Sequence, residues 1–399
     1  MGALSHAADL DALAQREWPA GRRVNLNPGT LGVPSRRVLA ALRAACDDDE
    51  RQAWPLGMYA LGRTELAAGR AAAQALWGGP APALTGGTTA ILNHLALVLA
   101  ARAAAVGRPY RVLTSGHEHE GGISAFEAHP AFEVVYAPDE ALGDADRFAE
   151  AARACIPDMV LLSQATWTDG RRLDLESLFA AARLHAPDAW YVVDAAQVLG
   201  NGVPSFAGDL TVASAHKWLG GPTGTGFAWL GERARADLAW SWNGHALDPS
   251  SPNARFEAMG GQDFARYAGV GAAVALLAEG GIEETAARSA TLARTLAAGI
   301  HARLDAHGIA HAFLDPHTAR WHREVPEHLA GVCAVRFDVW DPYPAYAALD
   351  ARGVHLKCIK GVTRTGTLLQ QWRLGVPWHT REEALTGALA TLDEVLRAR

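Results

Sequence analysis

Cysteine is scarce: Cys46, Cys155, Cys333 and Cys358 are the only four in 399 residues, and they form no CxxC pair. Such spacing supports neither a zinc knuckle nor a disulfide framework, and no metal site is expected. No Lys/Arg-rich run is present, and 36 basic against 43 acidic residues leave a formal net charge of -7. A nucleic-acid partner is therefore not expected, because tracking phosphates needs a basic strip. No apolar stretch approaches the ~18 residues of a membrane span. The best candidate, Ile91 to Val106, is interrupted by Asn93, His94 and Arg102, so no membrane partner is expected. Met1 to Glu17 carries Asp9, Asp11 and Glu17 and lacks the basic-then-apolar order of a signal peptide. A cytoplasmic protein with free thiols is the expectation. Internal repeats and low-complexity linkers are missing as well.

What is present is an ordinary folding composition, 49% hydrophobic and 20% charged. The length suits two domains at roughly 100–200 residues each. Short β-branched or apolar runs at Arg111–Thr114, Glu133–Ala137, Met159–Ser163, Trp190–Asp194, Leu210–Ser214 and Gly226–Leu230 read as strands. Helical patterns at Thr88–Ala104, Asp144–Cys155 and Leu175–His185 lie between them. This alternation predicts an α/β fold with a mostly parallel sheet covered on both faces. From Asp263 the pattern turns to long Ala-rich helices running to Leu304. A smaller unit follows, with strand Val332–Asp338, helix Tyr343–Ala351, a short strand near Val354, strand Gln370–Leu374 and a helix opened by Thr380. The expected organisation is an N-terminal segment 1–30 packing near the second domain, a large domain 31–265, and a small α+β domain 266–399 that includes a connecting long helix.

Four segments carry chemistry. Ser214-Ala-His216-Lys217 follows a strand and precedes Gly220, Gly221, Gly224 and Gly226, a setting that suits a lysine acting as a nucleophilic amine. The bland reading is a surface lysine before a glycine-rich hairpin. Asp194 ends a buried-looking strand, three residues before Gln197. A carboxylate there needs a cation or donor, and a protonated pyridine nitrogen, a metal or a helix start would each supply one. Thr85-Gly-Gly-Thr88-Thr89 opens a helix and forms an anion site by virtue of free N–H groups and the helix dipole, although either threonine may equally be read as a helix cap. It is neither a Walker A loop nor GxGxxG. In Ser115-Gly-His117-Glu118-His119-Glu120-Gly-Gly122, i and i+2 histidines make a poor zinc signal, and one imidazole stacking on a flat cofactor is the other option.

Together these residues resemble the class V aminotransferase family of pyridoxal-phosphate (PLP) enzymes, which includes cysteine desulfurases, isopenicillin N epimerases and kynureninases. The resemblance runs from Asn25-Leu-Asn-Pro-Gly-Thr30 to Trp372-Arg373. It implies the fold type I architecture of PLP-dependent transferases, and Lys217 as the lysine that joins the cofactor as an aldimine. It assigns Asp194 to the ring nitrogen, Gln197 to the ring oxygen and His119 to stacking over the ring. Thr88, Thr89, Ser214 and His216 become phosphate ligands. Arg373 becomes the grip on the substrate α-carboxylate, with Asn27, Thr30 and Trp167 nearby. The family's paired phosphate donor from a second subunit corresponds to Gly261 and Gln262, with Gly261 standing where a threonine is usual. A homodimer is implied.

Resemblance also frames the reaction. The leading expectation is a lyase of specialised metabolism, breaking a Cβ–S or similar Cβ bond of an α-amino acid through a Cα carbanion. Epimerisation at Cα and transamination are the alternatives. A PLP-binding module without turnover and a dinucleotide-binding α/β protein are more remote. Cys358, fifteen residues before Arg373, matches the spacing of a sulfur-accepting cysteine in one group of desulfurases. Lys357 and Lys360 would favour its thiolate, although its surroundings lack that group's glycine-rich look. Trp54, Trp167, Trp218, Trp240 and Trp242 are candidates for pocket walls or for core packing.

Overall fold

The computed structural model describes residues 6–18, 21, 23–47, 55–238, 253–257 and 263–398. Helix α1 (His6–Glu17) leads through the short strand β1 (Val24–Asn25) to α2 (Arg36–Cys46), where Ser35 caps the start by accepting from the Val38 N–H at 3.1 Å. Next come α3 (Pro55–Trp77), β2 (Pro82–Thr85), α4 (Thr88–Val106), β3 (Tyr110–Ser115), α5 (Glu120–Glu127) and β4 (Phe132–Ala137). The middle of the chain holds α6 (Ala145–Cys155), β5 (Met159–Ser163), α7 (Leu175–Arg183), β6 (Trp190–Asp194), β7 (Leu210–Ser214), β8 (Gly226–Leu230) and α8 (Glu232–Leu238).

Strands β2 to β8 form one seven-stranded sheet in the order β2-β8-β7-β6-β5-β3-β4. The run from β7 to β4 is parallel, and β8 joins its neighbours antiparallel. Alternate residues serve opposite faces, as the pleat requires. Leu113, Val160, Leu162, Tyr191 and Val193 enter one core, whereas Val112, Met159, Leu161, Trp190 and Val192 enter the other. Burial on both faces explains why these strands read as unbroken apolar runs. Helix α4 is long and apolar enough to cross a membrane by composition alone. Its Ile91, Leu92, Leu95 and Leu99 are instead packed in the second of these cores.

Helices α9 (Ala265–Gly280) and α10 (Ile282–Ala306) meet at Gly281, whose φ of 75° is the left-handed conformation that breaks a helix. Val270, Val274 and Leu277 of α9 belong to the large-sheet core, while Leu292, Leu296 and Ile300 of α10 belong to a separate one. Packing therefore changes hands at Gly281 and not near residue 266, because α9 lies against α2 and α3. The second core is built on strands β9 (Ala312–Leu314), β10 (Trp321–His322), β11 (Val332–Arg336), α11 (Tyr343–Ala351), β12 (Val354–His355), β13 (Lys357–Val362), β14 (Leu368–Gly375) and α12 (Glu382–Arg397). Its antiparallel sheet has the order β10-β9-β11-β14-β13. Strand β1 pairs with β12 through Val24 and Val354, and Leu26 lies in the second core.

Leu92 is fully buried between α4 and the sheet. Truncating it to alanine removes packed methyl groups that the rigid sheet cannot follow, so Leu92→Ala should lose about 2–5 kcal/mol, read from the shift in urea midpoint.

Candidate active site

Strands β3, β5, β6 and β7 run in parallel, so their carboxyl ends share one edge of the sheet. That edge is where open α/β sheets place ligands. It carries Ser115, Ser163, Asp194 and Ser214, with His216 and Lys217 just beyond. A cavity of about 280 Å³ opens there, lined by residues from eight separate stretches of chain. Thr88 and Thr89 close one end together with Ser214 and His216, and Arg373 stands at the other with Trp167 and Gly29. Between them lie Lys217, Asp194, Gln197 and His119.

The first end is built as an anion cradle. Gly87 precedes α4 with a φ of 105° and brings no side chain to cap the helix start. The alternative of a threonine cap is thus not what α4 uses. The Thr88 N–H donates to Ser214 Oγ at 3.2 Å, and that hydroxyl donates to Thr88 Oγ1 at 3.2 Å. His216 Nδ1 is buried without a protein partner. Burial and the Lys217 charge lower the His216 pKa, keeping the ring neutral.

Lys217 sits at the cavity floor. Burial lowers its pKa, Asp194 opposes that shift, and Arg373 adds to it. Asp194 is buried at the end of β6 and accepts the Ala196 N–H at 2.8 Å. Burial pushes its pKa up while Lys217 pulls it down. His119 accepts the Gly121 N–H on Nδ1 at 3.0 Å, which leaves the proton on Nε2. Lost hydration, then the Lys217 charge, hold its pKa down at about 4, so the imidazole is neutral at physiological pH. Its ring meets Trp167 edge-on, with centroids 5.4 Å apart.

The opposite end depends on the N-terminal turn. The Gly32 N–H donates to the His216 carbonyl at 2.8 Å, and a Cβ on Gly32 would fall 1.9 Å from the Lys217 carbonyl oxygen. Only glycine permits that approach. Arg373 is buried on β14, and burial lowers its pKa to about 10. It donates to Asn27 Oδ1 at 2.8 Å and to the Trp167 carbonyl. Asn27 thus aims Arg373 and is not itself among the cavity residues, whereas Thr30 is. Gln197 donates to the Gly29 carbonyl at 2.9 Å and accepts from Trp218 Nε1 at 3.1 Å. Its amide lines the cavity already tied on both sides, and Trp218 is a packing residue, not a wall.

Two residues of the His117–His119 segment have other work. His117 binds Thr168 Oγ1 at 2.8 Å and Asp139 at 3.1 Å. Glu118 is buried, accepting from Ser115 Oγ at 2.6 Å, from the Ser163 N–H at 3.0 Å and from the Ser163 hydroxyl. Gly261 and Gln262, and Trp54, Trp240 and Trp242, lie outside the described residues.

Cys358 does not reach the cavity. It lies opposite Trp372 on the face of β13 that packs against the second core. Burial pushes its thiol up to about 11, outweighing the two neighbouring lysines expected to favour a thiolate. Lys357 does line the cavity, although the sequence had marked it only as a neighbour of Cys358. Only a strand assignment for 357–362 with its register would have revealed that residue.

These donors fit pyridoxal phosphate. A buried imidazole Nδ1 without a protein partner and a helix start with no side-chain cap suit a phosphate, and a buried carboxylate with a backbone donor suits a protonated ring nitrogen.

Comparison with known proteins agrees. The family model described as aminotransferase class-V matches residues 83–371. A search of curated proteins finds no match. Solved structures of similar fold include a cysteine desulfurase from Thermococcus onnurineus NA1, at 16% identity over 100% of both chains with a TM-score of 0.77. The cystine C-S lyase C-DES, in complex with its reaction product cysteine persulfide, is 19% identical over 93% of this chain and 97% of its own, with a TM-score of 0.73. The cysteine desulfurase CsdA from Escherichia coli is 18% identical over 99% and 100%, with a TM-score of 0.71.

Burial raises the Glu118 pKa to about 7, above the ordinary 4.5. The stability its neutral form contributes is present below pH 4.5 and is lost as pH rises through 7. Relative to Glu118→Gln, the native chain should therefore lose a few kcal/mol between pH 5 and 8.5, seen as diverging urea midpoints. Gly32→Ala should cost about tenfold or more in kcat/KM by displacing the Lys217 loop, measured by steady-state kinetics.

Proposed function

The chain belongs to the class-V aminotransferase family of PLP-dependent enzymes, and from that premise we propose that it is a lyase that cleaves a Cβ–S or similar Cβ bond of an α-amino acid. When bound, PLP supplies an aldehyde that takes up amines and a protonated ring that draws negative charge away from Cα. Everything else falls to the protein. Lys217 is the amine that holds the cofactor and then the base at Cα, since burial lowers its pKa and lets it give up its proton more readily than a lysine in water. Asp194 keeps the ring nitrogen protonated by charge pairing. Neutral His119 lies against the ring without adding charge. Thr88, Thr89, Ser214 and His216 hold the phosphate, and Gly261 with Gln262 would complete that end from a second subunit. Arg373, aimed by Asn27 and the Trp167 carbonyl, receives the substrate α-carboxylate and sets which Cα bond faces the ring.

Elimination is favoured over a thiol relay by one observation above all: Cys358 turns into the second core with its thiol pKa at about 11. The leaving sulfur then departs with its own substituent. The printed description of C-DES as a C-S lyase is in keeping with this. A place in specialised metabolism, a homodimer and a cytoplasmic location belong to the same proposal. Support comes from the Glu-His-x-Gly-Gly setting of His119 for the first and from the unpaired thiols of Cys155, Cys333 and Cys358 for the last.

The test is a screen of S-substituted cysteines with the PLP-loaded protein, following pyruvate. Pyruvate release is the expected result; racemised substrate or a keto acid retaining the side chain would instead mark epimerisation or transamination. Lys217→Ala should lose the visible absorbance of the bound cofactor and about 10²–10⁴-fold or more in turnover. Arg373→Lys, which gives up the planar fork, should raise KM about tenfold or more with a smaller effect on kcat.

A further inference from the structure

Lys357 is a second cation at the carboxylate end of the cavity. It opens β13, the edge strand of the second sheet, and stands directly opposite Arg373 on β14. Residues so paired have Cβ atoms about 4.5–5.5 Å apart on one face of a sheet. Both line the cavity, whereas the next pair, Cys358 and Trp372, faces the second core. The two-residue period of the strand thus delivers a lysine to the site and takes the thiol away.

Two cations side by side repel, and a purely structural pair would have an acid between them. Among the described residues, Lys357 has neither an ion pair nor a hydrogen bond. Its neighbour Lys360, on the other face of the same strand, is paired with Asp341 at 3.3 Å. The Lys357 charge is felt inside the cavity, where it helps to lower the His119 pKa. Among the described residues that line the cavity the acid is Asp194, which is needed for the ring, and the buried Asp169 that acts on Arg373 is not part of the lining. The phosphate end of the cavity holds hydroxyls, an imidazole and a helix start, so its charge is met without Lys357. An α-carboxylate takes up the single fork of Arg373 and leaves Lys357 over.

We infer that the substrate carries a second acidic group on its side chain, a carboxylate or a sulfur or phosphorus oxyacid, and that Lys357 is the residue that recognises it. This rests on the PLP-dependent reading above and names the substrate class for it. In a Cβ–S cleavage the acid would sit on the departing thiol: the Cα–H and Cβ–S bonds break, Cα=Cβ forms, the proton passes to Lys217, and the thiolate leaves with its acid. Water then releases ammonia and pyruvate from the three-carbon remainder. Lys357 also sets the charge the cavity lacks, which makes an isosteric neutral side chain a poor occupant.

Amide and acid pairs of nearly equal shape give the test: L-aspartate against L-asparagine, L-glutamate against L-glutamine, and S-carboxymethyl- against S-carbamoylmethyl-L-cysteine. Each is titrated into the PLP-loaded protein, and the dissociation constant is read from the change in cofactor absorbance. At least one acid should bind about tenfold or more tightly than its amide, as expected of a charge-assisted contact. In Lys357→Gln that ratio should fall to within about twofold of unity, and in Lys357→Arg it should largely survive. Circular dichroism checks that both variants fold. Equal binding of acid and amide by the native chain, or an undiminished ratio in Lys357→Gln, overturns the inference while spectral changes with neutral amino acids leave the PLP reading standing. A protein that takes up no PLP overturns both.

Discussion

An amine that must lose its proton inside protein is the constraint on which the site depends. In water Lys217 would stay charged and unreactive as a nucleophile. Here burial lowers its pKa, with Arg373 adding to the shift and Asp194 restraining it. None of the three can be altered alone. Removing Asp194 leaves Lys217, Arg373 and Lys357 in the cavity without the acid that lines it, and exposing the floor to water cancels the effect of burial. The same charge reaches His119 and His216 and adds to the burial that keeps both imidazoles neutral.

Holding that balance takes three remote parts of the chain. The large sheet supplies Asp194 and Ser214 at one edge because its central strands are parallel and end together. The second sheet supplies Arg373 on a strand otherwise committed to its own core through Trp372 and Leu374. The N-terminal turn joins the two: Gly32 lies against the Lys217 carbonyl, Gly29 binds Gln197, and Asn27 binds Arg373. Since β1 also pairs with β12, the turn is anchored in the second unit while it reaches the first. Relative movement of the two sheets would therefore be felt at both the lysine and the arginine.

The central strands from Met159–Ser163 to Gly226–Leu230 were readable to the residue, because burial on both faces leaves unbroken apolar runs bounded by turns. Strand β13 was not. Lysines at 357 and 360 and a glycine at 361 oppose a strand reading, and only its place on the sheet edge makes such residues acceptable. Strand β2 escaped for a related cause, as Pro82 at its start argues against a ladder. The break between α9 and α10 was equally silent, since two Ala-rich helices in succession look like one until a glycine adopts a positive φ.

Local chemistry is what the amino-acid order settled by itself: a lysine after a strand, an acid at a strand end, glycines before a helix, each imposing its own backbone and charge requirement. Tertiary structure decided what these groups face. Asn27 could have met substrate but meets Arg373. Cys358 could have been a nucleophile, but one step of strand register turns it into a core and presents Lys357 in its stead. The physical reason is that side-chain direction on an edge strand is set by pairing with β14, a contact across residues that no local pattern encodes.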